Sequence, residues 1–113
     1  DGFLTILDRK NDMIVTGGEN VFPRDVEDIL LDMPGVLEVA VFDLPDERWV
    51  QRVAAAIVVA PGAVQTPEAV ATYARGRMAG FKQPKAIFIV EALPRNAAGK
   101  VLRKALRERF KTS

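Results

Sequence analysis

Cysteine and histidine are both absent from the 113 residues. Without cysteine there is no disulfide and no thiol nucleophile. Without histidine there is no imidazole base, and the two absences together remove the usual zinc clusters. Any catalysis falls to lysine, arginine, carboxylates or backbone groups. The lack of cysteine suits a reducing compartment, and a cytoplasmic protein is expected. No apolar run reaches the roughly 20 residues of a transmembrane helix, and Asp1-Gly2-Phe3 does not have the pattern of a signal peptide. Peripheral membrane contact stays open. Neither an internal repeat nor a low-complexity tract is present.

What is there is an ordinary globular balance, 49% apolar and 27% charged, in a chain long enough for one domain with a core of its own. The formal net charge of +1 hides an uneven distribution. Residues 95–113 hold seven basic residues against the single carboxylate of Glu108, leaving nine basic and fourteen acidic residues in the remainder. A basic tail on an acidic body points to an anionic partner or docking surface.

The pattern along the chain is that of an α+β domain. Phe3 to Leu7 reads as a short strand, and Asp8 to Asp12 as an exposed charged break. Met13-Ile14-Val15 and Val21-Phe22 flank Thr16-Gly17-Gly18-Glu19-Asn20, which reads as a hairpin, because adjacent glycines supply positive φ angles. Pro23 to Met33 is the clearest helix. Val26, Ile29, Leu30 and Met33 form one apolar stripe, Pro23 fits the first turn, and Pro34-Gly35 stops it. Val36 to Phe42 is a strand, broken by turn formers from Asp43 to Arg48. Val53 to Val59 is an apolar run that suits a central strand. Thr66 as N-cap and Pro67 open a second helix, expected to run to about Ala79 with Val70, Ala74 and Met78 inward and Tyr73 beside them. Gly80 ends it, and Phe81-Lys82-Gln83-Pro84-Lys85 reads as an exposed loop. Ala86 to Val90 is a further strand. Leu102, Ala105, Leu106 and Phe110 give a last helix its apolar side. The fold expected is a small mixed domain: a short three-stranded sheet flanked by helices and preceded by a two-stranded hairpin.

One stretch stands out chemically. In Leu93 to Arg103, Lys100 follows a polar loop of small residues whose backbone should be mobile. A lysine on such a loop can act as a point charge toward phosphate or carboxylate oxygens. It is not a phosphate-cradling P-loop, since Pro94 and Val101 stand where glycine and Ser or Thr belong. On the residues alone, a solvated loop lysine is the plainer interpretation. Trp49 likewise reads first as a lid on the core.

Two segments carry a resemblance. Pro94-Arg95-Asn96-Ala97-Ala98-Gly99-Lys100-Val101-Leu102-Arg103 resembles the terminal signature of the adenylate-forming enzymes, the superfamily of acyl-CoA synthetases, nonribosomal adenylation domains and luciferases. Asp8-Arg9-Lys10-Asn11-Asp12-Met13-Ile14-Val15-Thr16-Gly17-Gly18-Glu19-Asn20-Val21-Phe22-Pro23 is similar to the family's D-R-x-x-D-x-I-x-x-G-G-E-N-x-x-P signature. The family's enzymes are several times longer, so the resemblance is to their C-terminal domain. It implies that residues 1–11 are the last strand and hinge of a large N-terminal domain and that residues 12–113 are a mobile C-terminal domain. Carried over residue by residue, it makes Lys100 the adenylation lysine and an ATP/AMP contact, Arg9 a second ATP/AMP contact near the ribose, and Asn11 the hinge. Many members have aspartate or lysine at that last position. It also implies coenzyme A contacts at Gly17, Gly18, Trp49, Phe81 and Lys85. Gln83 stands where some ligases have arginine. ATP, coenzyme A and a carboxylic acid, with a lean to fatty acids, are the implied substrates. Magnesium is expected with the ATP phosphates and no metal ligands in this chain. The fragment alone should be inactive.

Other functions remain open. The acyl acceptor could be a carrier protein, docked by the basic helix, in an adenylation or acyl-AMP ligase domain. The domain could instead be a non-catalytic module binding nucleic acid or another anion through its tail, although interleaved exposed aromatics are missing there. The resemblance implies no nucleic acid. A regulatory nucleotide-binding domain is the third alternative.

Overall fold

The computed structural model describes residues 13–46 and 50–111, with Val50 by its backbone alone. In chain order the elements are β1 (Ile14–Thr16), β2 (Glu19–Val21), α1 (Pro23–Leu31), β3 (Val36–Asp46), β4 (Val50–Val59), α2 (Pro67–Arg75), a 3-10 turn (Gly80–Lys82), β5 (Ala86–Val90) and α3 (Arg103–Phe110). The α+β class is the one expected: among the described residues there are an antiparallel hairpin, a three-stranded mixed sheet and three helices.

Alternation along β3 and β4 sets the layers. Val39, Val41, Val53, Ala55 and Ile57 join one core with Val26 and Leu30 of α1 and Val70 and Ala74 of α2. Ala40, Phe42, Leu44, Ala54, Ala56 and Val58 join a second core with Leu106 of α3. Successive side chains of a strand point to opposite faces, so two interleaved apolar series need cover on both sides. Helices α1 and α2 cover one face and α3 the other. Small residues oppose large ones across the pair, as at Phe42↔Ala54 and Val41↔Ala55. Phe42 also anchors an aromatic group on the α3 side, where the Phe88 and Phe110 rings stack with centroids 3.9 Å apart.

β4 is the central strand. It pairs antiparallel with β3 along one edge. Its other edge is shared by β5, parallel from Ala54↔Ala86 to Val58↔Val90, and by β1, at the single position Thr16↔Val50. That bridge joins the hairpin to the main sheet. Burial on both faces explains the unbroken apolar run from Val53.

Three boundaries differ from the sequence reading. The break expected at Asp43 does not occur: β3 continues to Asp46, with Pro45 opposite Gln51. As an edge strand it tolerates a proline, because the missing N–H faces away from the ladder. The first helix ends at Leu31, although Met33 stays buried in a turn in which its N–H bonds Leu30 O. The second ends at Arg75, not Ala79, because Gly76 supplies the C-cap and glycine is a poor helix former. Its Thr66 N-cap is as read, accepting from Ala69 N at 3.1 Å. Of the apolar side expected for the last helix, Leu106 is buried, while Ala105 and the N-cap residue Leu102 are exposed.

Candidate functional site

The segment around Lys100 is a small hydrogen-bonded turn. Arg95 and Val101 form an antiparallel bridge, and Asn96 N donates to Lys100 O at 3.0 Å. Asn96 Oδ1 accepts from Ala98 N at 2.9 Å and Lys100 N at 3.0 Å. Gly99 turns the chain with φ +84° and donates to Asn96 O at 2.9 Å. A short carboxamide that caps nearby backbone N–H groups favours such turns. The Arg95 guanidinium donates to Gly99 O at 2.7 Å and pairs with Glu38 of β3. These hydrogen bonds close the turn and leave Lys100 exposed.

Basic residues of the tail find much of their anionic partner within the domain. Arg95 pairs with Glu38, Arg103 with Glu27 at 2.9 Å, and Arg107 with Asp43 at 2.7 Å. Lys111 pairs within the tail, with Glu108 at 3.0 Å. The Glu27 pair serves the edge of the sheet as well. Glu27 Oε2 accepts from Val41 N at 2.8 Å while Arg103 Nε donates to Val41 O at 2.9 Å. Both outward groups of Val41 are thus occupied, as an edge strand requires if it is not to pair with another chain. Asp43 also accepts from Gln51 Nε2 at 2.9 Å, and Gln51 Oε1 accepts from Val15 N at 2.7 Å. A chain of polar contacts therefore runs from α3 across β3 and β4 to the hairpin.

The second candidate cluster lies at the hairpin. Gly17 and Gly18 form a two-residue loop with φ +59° and +84°, the sign pattern of a type I′ turn. A Cβ built on Gly18 would meet nothing within 4 Å, so this backbone lies open to an approaching group. The 3-10 turn packs against β2, which brings Phe81 and Lys82 near the hairpin. Phe81 was expected in an exposed loop, but it is half-buried against the α1/α2 core, with Lys82 Nζ 6.0 Å from its ring centroid. Lys85 is exposed, its Nζ 3.5 Å from Gly80 O, while its N–H donates to Val53 O at 2.7 Å. Gln83 Nε2 bonds Met78 O at 3.3 Å, a structural use of the position where arginine stands in some ligases. Arg9, Asn11 and Trp49 lie outside the described residues.

The two clusters occupy opposite ends of the sheet. Glu38, which holds Arg95, is in register with Val58, whereas Thr16, which leads into Gly17, is in register with Val50. Eight residues of extended strand separate those positions, roughly 26 Å, and the clusters use opposite edges of β4. Among the described residues no group of three or more acidic side chains could hold a metal ion. Nor is any described helix long and apolar enough to cross a membrane.

A profile of the AMP-binding enzyme C-terminal domain matches residues 25–100. The chain belongs to that family. It is 46% identical over 110 residues to the long-chain-fatty-acid–CoA ligase FadD13 of Mycobacterium tuberculosis, covering 97% of this chain and 22% of that protein. It is 43% identical over 110 residues to the fatty acid–[acyl-carrier-protein] ligase ScoC of Streptomyces coeruleorubidus, covering 97% of this chain and 21% of that protein. A solved Mycobacterium tuberculosis fatty acyl CoA synthetase superposes with TM-score 0.82 at 42% identity, over 90% of this chain and 20% of that one. The chain thus spans about a fifth of the length of the relatives it matches.

Sequence reasoning singled out the lysine and the glycines as candidates and missed the residues that hold the Lys100 turn. Asn96 had a local signal, since Asn before small residues and glycine is a turn pattern. Glu38 had none, being 57 residues from its partner Arg95.

Proposed function

We propose that this chain is the C-terminal lid of an AMP-forming acyl-CoA synthetase acting on fatty acids, and that it presents a different end to each of two half-reactions. In the first, a carboxylate oxygen attacks the α-phosphorus of ATP. A P–O bond forms, the bond to the β-phosphate oxygen breaks, and pyrophosphate leaves with the electron pair. Charge gathers on oxygens of two anionic reactants. The Lys100 ammonium, delivered into the site of the large domain, bridges the carboxylate and α-phosphate oxygens, and Arg9 lies near the ribose. Electrostatic positioning of this kind is worth about 3–4 kcal/mol, or roughly a hundred- to a thousandfold in rate. Magnesium enters with the ATP phosphates, outside this domain.

In the second half-reaction the domain, residues 12–113, turns about Asn11. Lys100 withdraws and the Gly17-Gly18 backbone lines the passage for pantetheine. Phe81, Lys85 and Trp49 meet the nucleotide end of coenzyme A. The thiol gives up its proton to solvent and attacks the acyl carbonyl; the C–S bond forms, the bond from the carbonyl carbon to the phosphate oxygen breaks, and AMP departs with that electron pair. The observation that carries this proposal is the separation of the Lys100 turn from the Gly17-Gly18 turn at opposite ends and edges of the sheet. Groups so placed on one rigid sheet cannot serve one reaction centre together, which suits a hinge-type switch. This domain alone is expected to be inactive. The resemblance to ScoC favours a second acceptor, a carrier-protein thiol, with the exposed Lys104 and Arg109 of α3 as its contact.

The test is Lys100→Ala in the full-length protein. ATP–pyrophosphate exchange should fall at least a hundredfold, while thioester formation from supplied acyl-AMP survives. Survival of both activities would remove Lys100 from the chemistry. Offering coenzyme A or an acyl-carrier protein as acceptor to the wild type separates the two acceptors.

A further inference from the structure

The peptide unit that leads into Lys100 is held at both ends. Its carbonyl, on Gly99, accepts from Arg95 Nη1 at 2.7 Å, and its N–H, on Lys100, donates to Asn96 Oδ1 at 3.0 Å. The next carbonyl, on Lys100, accepts from Asn96 N at 3.0 Å. The Lys100 Cα therefore stands between two peptide planes with fixed partners. Asn96 belongs to the turn and is placed by it. Arg95 reaches back with a long side chain, which loses rotamer freedom for each bond it makes. Its other terminal nitrogen, Nη2, is taken by the Glu38 carboxylate. Glu38 lies on β3 beside a register irregularity between Val36 and Glu38, the kind of feature that re-aims a side chain. A guanidinium offers its donors in a rigid plane, so fixing one nitrogen orients the other. Both partners are partly exposed, at 42% and 34%. Surface pairs of this kind add little to stability, so the consequence of the contact is geometric.

We propose that Glu38 is a positioning residue for Lys100. It acts through Arg95 and the Gly99 carbonyl, so that strand β3 determines where the ammonium is presented. This inference rests on the adenylation function proposed for Lys100. A misplacement near 1 Å can cost about a hundredfold in an oriented reaction, so a contact of little thermodynamic weight acquires a kinetic one.

The experiment compares Glu38→Ala and Glu38→Gln with the wild type in the full-length protein. The readouts are ATP–pyrophosphate exchange, thioester formation from supplied acyl-AMP, the thermal midpoint, and mass-spectrometric amide exchange over residues 94–103. In Glu38→Ala, pyrophosphate exchange should fall about 10- to 100-fold and amide exchange at residues 98–100 should quicken. Thioester formation and the midpoint should stay at their wild-type values. Glu38→Gln still accepts a hydrogen bond and should recover most of both losses. Unchanged amide exchange in Glu38→Ala would overturn the inference, and so would equal losses in both half-reactions, which mark a general structural role. Should Lys100→Ala itself leave adenylation intact, the functional proposal fails separately, and amide exchange alone decides whether Glu38 fixes the Lys100 backbone.

Discussion

A single carboxamide decides the course of the chain around Lys100. Asn96 uses its side-chain oxygen on two backbone N–H groups and its backbone N–H on the Lys100 carbonyl. Glycine does the comparable work in the hairpin, by a different route. At Gly18 there is room for a side chain, and only the φ of +84° resists one. Gly18→Ala is therefore expected to cost about 1–2 kcal/mol from the backbone alone, read as a lower urea midpoint with an unchanged slope. Its catalytic effect should fall on thioester formation, not on pyrophosphate exchange. A loss confined to pyrophosphate exchange would contradict the assignment of the two ends. The glycine turn was legible because it is local, and Asn96 carried a local signal of the same kind that went unread. Glu38 was not legible, since nothing local in Val36 to Phe42 distinguishes an edge carboxylate that holds a distant arginine from one that faces water.

At the scale of elements, α3 is fastened to β3 by arginines as much as by Leu106. Glu27 is the joint between α1, the strand edge and α3. Removing its carboxylate leaves the Val41 N–H and the Arg103 guanidinium each short of a partner in a partly buried place. Glu27→Ala should cost about 2–3 kcal/mol, measurable by chemical denaturation. A cost well below that range would mean that water replaces the carboxylate, and that the edge is held by α3 packing alone. Element types were well marked by periodicity, by Thr66-Pro67 and by the apolar run of β4. Element ends were less so. Proline and acidic residues at 43–46 signal a turn wherever a strand lies inside a sheet, and only pairing along an edge permits them here. Gly76, by contrast, is a stop signal visible in the sequence that wins over the apolar pattern continuing to Met78.

The whole molecule resolves the charge asymmetry of its sequence from within. Carboxylates of the body at positions 27, 38 and 43 receive arginines of the tail at 103, 95 and 107. The basic tail is in part a strap along one strand, a function that net charge could not distinguish from attraction to an external anion. The class of the fold was legible in the order of its elements. The sharing of one edge of β4 by β1 and β5 was not, because both are apolar segments of strand length and only the three-dimensional register separates them.

The same central strand has a kinetic consequence. Its pairing with β3 begins at Asp46↔Val50 and extends to Val36↔Val59, so each rung closes a loop only slightly longer than the last. Pairing with β5 is parallel and requires the crossover through α2. Local closure is fast and long-range closure slow. The β3–β4 ribbon is therefore expected to form in the folding transition state, with β5 and α3 joining afterwards. Truncating Ile57 should mainly slow folding, whereas truncating Leu106 should mainly hasten unfolding. A chevron analysis in which Leu106→Ala slows folding as much as Ile57→Val, per unit of stability lost, would reverse that order.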